Sequence, residues 1–192
     1  MTVRRTSLLL AFCLFLSEVG FVNTVHAEEE ARISFIAELR LHGFIDNYGN
    51  IKIRNSKLTQ LPPGLVTKGY LDIEGSRIST LPDNLEVGGY LNAAYTPLRR
   101  YPNIRVGGYI DLSGTFIRRL PGGMRVNGDL SVTNTPLTNL PRRLNVDGNL
   151  YLANTQITEL PPDLKVSGNL YLRGTKIKTV PDTVMVGGQV FR

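Results

Sequence analysis

The sequence holds one cysteine, two histidines and no tryptophan in 192 residues. With Cys13 as the single thiol, neither an intrachain disulfide framework nor a thiolate metal site is available. His26 and His42 are too few for a histidine-rich metal centre, and nucleophile–base arrangements have little to draw on. No catalytic residue, metal or cofactor is therefore expected. Long apolar runs are also missing. The longest, Leu8 to Leu16, falls short of the roughly 20 residues that a membrane-spanning helix needs, and Glu18 interrupts its extension.

That short run has a different reading. Arg4 and Arg5 precede it, and Val25-His26-Ala27 follows as a small-residue cleavage site before Glu28. Together they predict a secretory signal over residues 1–27 and a secreted or periplasmic product with no transmembrane segment after cleavage. The twin arginines read as ordinary positive flanking charge, and Cys13 follows Phe12, where lipid attachment wants a small residue. The remainder stays basic, which favours anionic surfaces without identifying one. Hydrophobic residues at 42% and charged residues at 20% fit a packed domain rather than a disordered chain.

What is abundant is self-similarity. Full copies of a 20-residue unit, LPxxLxVxGxLxLxxTxIxx, begin at Leu61, Leu81, Tyr101, Leu120, Leu140 and Leu160. The copy at Tyr101 is one residue short, because Pro102-Asn103-Ile104 replaces Pro-x-x-Leu. Partial copies flank the set, so the array covers about residues 45–192. In V-x-G-x-L-x-L the apolar positions alternate, which sends one set inward and the other outward from a strand. Recurrent prolines from Pro62 to Pro181 leave little room for regular helix on the return path. The predicted fold is a leucine-rich repeat or parallel β-solenoid of about seven rungs, with one strand per rung.

The spacing Leu170-x-Leu172-x-x-Thr175-x-Ile177-x-x-Val180-Pro181 resembles the L-x-L-x-x-N-x-L-x-x-L-P pattern of bacterial leucine-rich repeat proteins of the short LPX type, known from effector proteins of pathogens. The resemblance covers about three quarters of the sequence. It implies stacked parallel repeats. Two features depart from it. Ser56, Ser76, Thr96, Thr115, Thr135, Thr155 and Thr175 stand where the family has Asn, and a Val-x-Gly precedes each strand. Some effectors of that family carry a separate domain that ligates ubiquitin through a cysteine. Here the repeats run to the last residue and the part after the signal has no cysteine, so that activity is not carried over.

Residues 28–44 differ in style. Glu28, Glu29 and Glu30, followed by Ile33, Ile36, Leu39 and Arg40, predict a short amphipathic helix with acidic residues at its start that caps the first rung. At the other end Val190-Phe191-Arg192 reads as an uncovered strand, which suggests weak homodimerisation through that edge.

Two surfaces are candidate ligand sites. Outward strand positions carry Tyr70, Tyr90 and Tyr109 in one column and Asp72, Asn92, Asp111, Tyr151 and Tyr171 in the next. Exposed tyrosines suit recognition of a protein or glycan, and equally stabilise a sheet by cross-strand pairing. The acidic positions are also the expected polar half of any half-exposed strand, rather than a sugar-cleaving pair. Arginine forms the second surface. Arg99, Arg100, Arg105, Arg118, Arg119, Arg125, Arg142 and Arg143 fall in consecutive repeats without lysine. Arg99-Arg100 and Arg118-Arg119 occupy equivalent positions before a proline corner, and with Arg142 and Arg143 they form a candidate site for an anionic partner or a solvated face.

The expectation is a secreted, non-enzymatic binding module that recognises protein or glycan through the repeat face. Its alternative is a structural or envelope-associated protein docking on anionic polymer through the arginines. Nucleic acid is a poor partner, since no recognised motif for it is present.

Overall fold

In the computed structural model, the backbone is described for residues 6–192 and the side chains outside or beyond the first part of the N-terminal helix, from residue 24 on. The expected flanking arginines, and the side chains of the apolar run and Cys13, lie outside the described residues. The chain is a parallel β-solenoid with one helix, α1 (Thr6–Leu41), at its start. The short helix expected from Glu28 is the later part of α1. Its glutamates consequently stand mid-helix, and no acidic residue occupies the first turn.

Fifteen two-residue strands follow, numbered in chain order. The odd ones are β1 (Ile51–Lys52), β3 (Leu71–Asp72), β5 (Leu91–Asn92), β7 (Ile110–Asp111), β9 (Leu130–Ser131), β11 (Leu150–Tyr151), β13 (Leu170–Tyr171) and β15 (Val190–Phe191). They form one eight-stranded parallel sheet with one strand per rung. Register advances by one repeat at each step, so Leu150 pairs with Leu170, and Leu91 pairs with Ile110 across the short copy.

The even strands lie on the far side of the Val-x-Gly bend. They are β2 (Val66–Thr67), β4 (Glu86–Val87), β6 (Arg105–Val106), β8 (Arg125–Val126), β10 (Asn145–Val146), β12 (Lys165–Val166) and β14 (Met185–Val186). The alternating segment is thus folded at its glycine into two strands that stack separately. At that glycine successive rungs touch: a Cβ on Gly148 would sit 2.6 Å from the Gly128 carbonyl carbon and 2.3 Å from Asp129 Oδ1. Only glycine lets the backbones approach so closely.

Inward columns explain the stacking. Leu130, Leu150 and Leu170 are fully buried, as are Val132 and Leu152 behind them and Leu144 and Leu164 from the neighbouring side. A single rung cannot enclose such residues, so each is covered by the rungs above and below. The threonines also turn inward. Thr96, Thr115, Thr135 and Thr155 are buried, and each donates its hydroxyl to the carbonyl three residues back, at 2.7–2.8 Å. This satisfies the turn within its own rung and does not run between rungs. The hydroxyls of Ser56 and Ser76 are buried without a partner.

The end of α1 closes the first rung. Leu39 is buried against the core, Phe35 and Ile36 pack on it, and Arg32 donates to the Gly64 carbonyl at 3.2 Å. Ile33 departs from the expected apolar face and is exposed. Beyond α1, Lys52 N–H donates to the Phe44 carbonyl at 2.8 Å, which ties the connecting loop to β1.

Candidate functional site

The eight-stranded sheet presents the two outward columns side by side. Tyr70, Tyr90 and Tyr109 stack with ring centroids 4.5 and 4.4 Å apart and planes within 10°. Tyr151 and Tyr171 stack likewise in the second column at 4.6 Å, continued by Phe191 at 4.8 Å. That spacing is the strand separation of the sheet itself. Parallel neighbouring strands place equivalent side chains one above another, so ring faces meet and inner rings offer a ligand only their edges and hydroxyl tips.

Polar side chains flank both stacks and are largely engaged. In the first column Asn50 accepts the N–H of Tyr70, Asp129 that of Asn149, Asn149 that of Asn169, and Asn169 that of Gln189, at 2.7–3.0 Å. This ladder between rungs was not legible in the residue types. In the second column Asp72, Asn92 and Asp111 each accept the N–H two residues on, fixing the turn that leaves the sheet. Asp111 also accepts the Ser113 hydroxyl at 2.5 Å. Asp72 is buried beside Arg54, 3.3 Å away, and Arg54 also pairs with Glu74. Burial pushes the Asp72 carboxyl upward in pKa, against the pull of Arg54 and Lys52.

The arginines divide into several environments around the proline corner. Arg100 pairs with Asp83 at 3.3 Å and Arg142 with Asp163 at 2.9 Å. Arg99 lies 5.5 Å from the ring centre of exposed Phe116. Arg143 adopts a left-handed backbone with φ 57°. Arg118 and Arg119 are exposed and form no ion pair among the described residues. Their rung has no acidic residue between Asp111 and Asp129.

Tyr95 is a site that sequence reasoning passed over. It occupies the left-handed turn position (φ 57°) held in other rungs by Asn55, Gly75, Gly114, Asn134, Asn154 and Gly174. A bulky side chain is costly there. Its ring is 63% exposed and lies over Gly114, where a Cβ would come within 2.6 Å of it. The available signal was a tyrosine standing in an Asn/Gly column.

Among the described residues no group of histidines, cysteines and carboxylates is arranged to hold a metal ion, and no helix is long and apolar enough to cross a membrane. Comparison with known protein families, curated proteins and solved structures finds no match.

Proposed function

We propose that the chain is a secreted, non-enzymatic binding module, related to short bacterial leucine-rich repeat proteins, that holds a protein or glycan against its eight-stranded sheet. The observation that carries this reading is the pair of aromatic stacks on one continuous face, each beside a row of amides, carboxylates or hydroxyls. Ring edges and phenol hydroxyls supply rigid amphipathic contacts at small entropic cost. The neighbouring carboxylates serve the fold through turn and ladder bonds, which supports binding over acid–base chemistry.

A screen of immobilised glycans and surface proteins from the producing organism tests this reading. The triple change Tyr70→Ser, Tyr90→Ser, Tyr109→Ser, with the fold preserved by circular dichroism, is expected to abolish capture. Unchanged capture by that variant sinks the sheet-face assignment. Fractionation of the producing cells tests export.

A second reading is favoured by Arg118 and Arg119, which lack the carboxylate partners of Arg100 and Arg142. In that reading the proline corner docks on an anionic polymer. Binding then weakens with salt and with replacement of Arg99, Arg100, Arg118 and Arg119 by Gln.

A further inference from the structure

The sheet of even strands is not continuous. It consists of a three-stranded part, β2-β4-β6, and a four-stranded part, β8-β10-β12-β14. The break falls beside the short copy. The corner Pro102-Asn103-Ile104 is one residue tighter than Pro121-Gly122-Gly123-Met124 in the next rung, and β6, though paired with β4, does not pair with β8. Elsewhere rungs are tied by bonds such as Asn145 N–H to Met124 O and Asp147 N–H to Val126 O, at 3.0 and 2.9 Å. At the break the equivalent bonds, Arg125 N–H to Ile104 O and Asn127 N–H to Val106 O, are not made among the described residues. On the neighbouring side the main sheet still joins β7 to β9. The two rungs are therefore joined on the main sheet and parted on the second one.

A groove of about 610 Å³ runs along this break, lined by Asn103, Ile104, Arg105, Arg125 and Asn127 among others. The residues lining it include two arginines and two asparagines, and the missing bonds leave the N–H groups of Arg125 and Asn127 on one strand and the carbonyls of Ile104 and Val106 on the other without their usual partners. Glu86 also lines the groove, and it holds Arg105 at 3.3 Å, while Asp147 holds Arg125 at 3.3 Å. Both pairs are solvent-exposed and exchange readily for another anion.

We propose that this seam is a binding site for an acidic oligosaccharide, with one carboxylate or sulfate of the sugar chain seated between Arg105, Arg125 and the free N–H groups of Arg125 and Asn127. Oxyanions are bound well by paired backbone N–H groups and guanidinium forks. The amides of Asn103 and Asn127 suit sugar hydroxyls. Val66, Val87, Ile104 and Val106 also line the groove, so the arginines and amides alone favour a sugar there. The proposal deepens the arginine reading above by naming a seat distinct from the exposed corner.

The decisive variant inserts one Ser between Asn103 and Ile104, restoring the 20-residue period while leaving every arginine in place. Amide hydrogen exchange should show Arg125 and Asn127 becoming protected, which reports closure of the seam. Titration of the full chain with an oligogalacturonate, a chondroitin sulfate oligosaccharide and a neutral oligosaccharide of equal length, followed by amide NMR, gives the binding readout. One or both acidic sugars are expected to shift the Arg125 and Asn127 amides, the preferred one identifying carboxylate or sulfate as the seated group. The insertion should weaken that binding at least about tenfold. If the insertion variant does not fold, the double change Arg105→Gln, Arg125→Gln is expected to give the same loss. Retained affinity after closure or after the double change overturns the proposal, as does equal binding of the neutral sugar or stronger binding of an acidic phosphopeptide. Replacing Arg99, Arg100, Arg118 and Arg119 by Gln while leaving the seam intact tests the corner by itself: unchanged sugar binding would sink the corner reading and leave the seam standing.

Discussion

The rings of Tyr90 and Tyr109 lie 4.4 Å apart and within 9° of parallel, on strands that pair with a 19-residue rather than a 20-residue offset. The missing residue is absorbed at the corner preceding β6, before the chain reaches the main sheet. The stack consequently crosses the irregular rung without interruption. Tyr90 has a ring on each face, Tyr70 below and Tyr109 above, whereas Tyr70 has Tyr90 alone in its stack. Each aromatic pair contributes about 0.5–1.5 kcal/mol beyond area burial. Tyr90→Thr should therefore cost about 1 kcal/mol more than Tyr70→Thr in urea denaturation. Equal costs would mean that the rings contribute only as strand-forming residues.

The same contact makes the fold sensitive to alkali. Burial, and then the neighbouring Tyr90, push the Tyr109 phenol up to about 12 from 10.0. The folded chain thus holds this proton more tightly than the unfolded chain does. The contribution is complete below pH 10, and is lost as the pH climbs through about 12. Tyrosinate absorbance should show a late-ionising group that disappears in Tyr109→Phe, together with a shallower fall of stability over the same window. A parent and a Tyr109→Phe variant with superimposable titrations would rule the assignment out.

Turn hydroxyls divide into paired and unpaired. Thr135 donates to the Val132 carbonyl at 2.7 Å, while the Ser76 hydroxyl is buried without a partner. Thr135→Val removes a donor of nearly unchanged volume and should cost about 1 kcal/mol. Ser76→Ala removes a group that is already unsatisfied, so stability should stay within about 0.5 kcal/mol or rise. Thermal melts of the two variants give the comparison, and a reversed order contradicts the bonding described.

Glycines separate in the same way. Gly148→Ala places a methyl against the rung before it and should destabilise by about 1–3 kcal/mol. Gly122→Ala meets nothing within 4 Å and should leave the melt nearly unmoved.

Tyr95→Asn should stabilise the fold by about 1 kcal/mol, because Asn tolerates the left-handed conformation that tyrosine resists. A loss of stability would show that the ring's contact with Gly114 outweighs its backbone cost.

Much of the core was legible. Leu150, Leu170 and their equivalents recur at one position of a 20-residue unit and alternate with polar residues, and burial follows from that periodicity. The sequence pattern was less informative at the glycine. Alternation through Val-x-Gly-x-Leu reads the same whether the backbone runs straight or bends there, so the second set of strands was not foreseen. The tyrosine columns were legible as columns, but the closing of ring face on ring face was not, since it depends on strand separation. Arg100 and Arg142 showed only charge; Asp83 and Asp163 reach them across rungs, at lateral positions fixed by the proline corners.

By itself the sequence determined the unit, its length, its inward residues and the single deletion at Pro102-Asn103-Ile104, because periodic burial requires nothing beyond the spacing of apolar side chains. Only the tertiary structure decided what the deletion does. The main sheet keeps its register from Leu91 to Ile110, while the second sheet parts between Val106 and Val126. The short rung still pairs with the preceding one on both faces, through β4–β6 and β5–β7, and parts from the following one only between β6 and β8, a difference that the spacing of the repeats does not reveal.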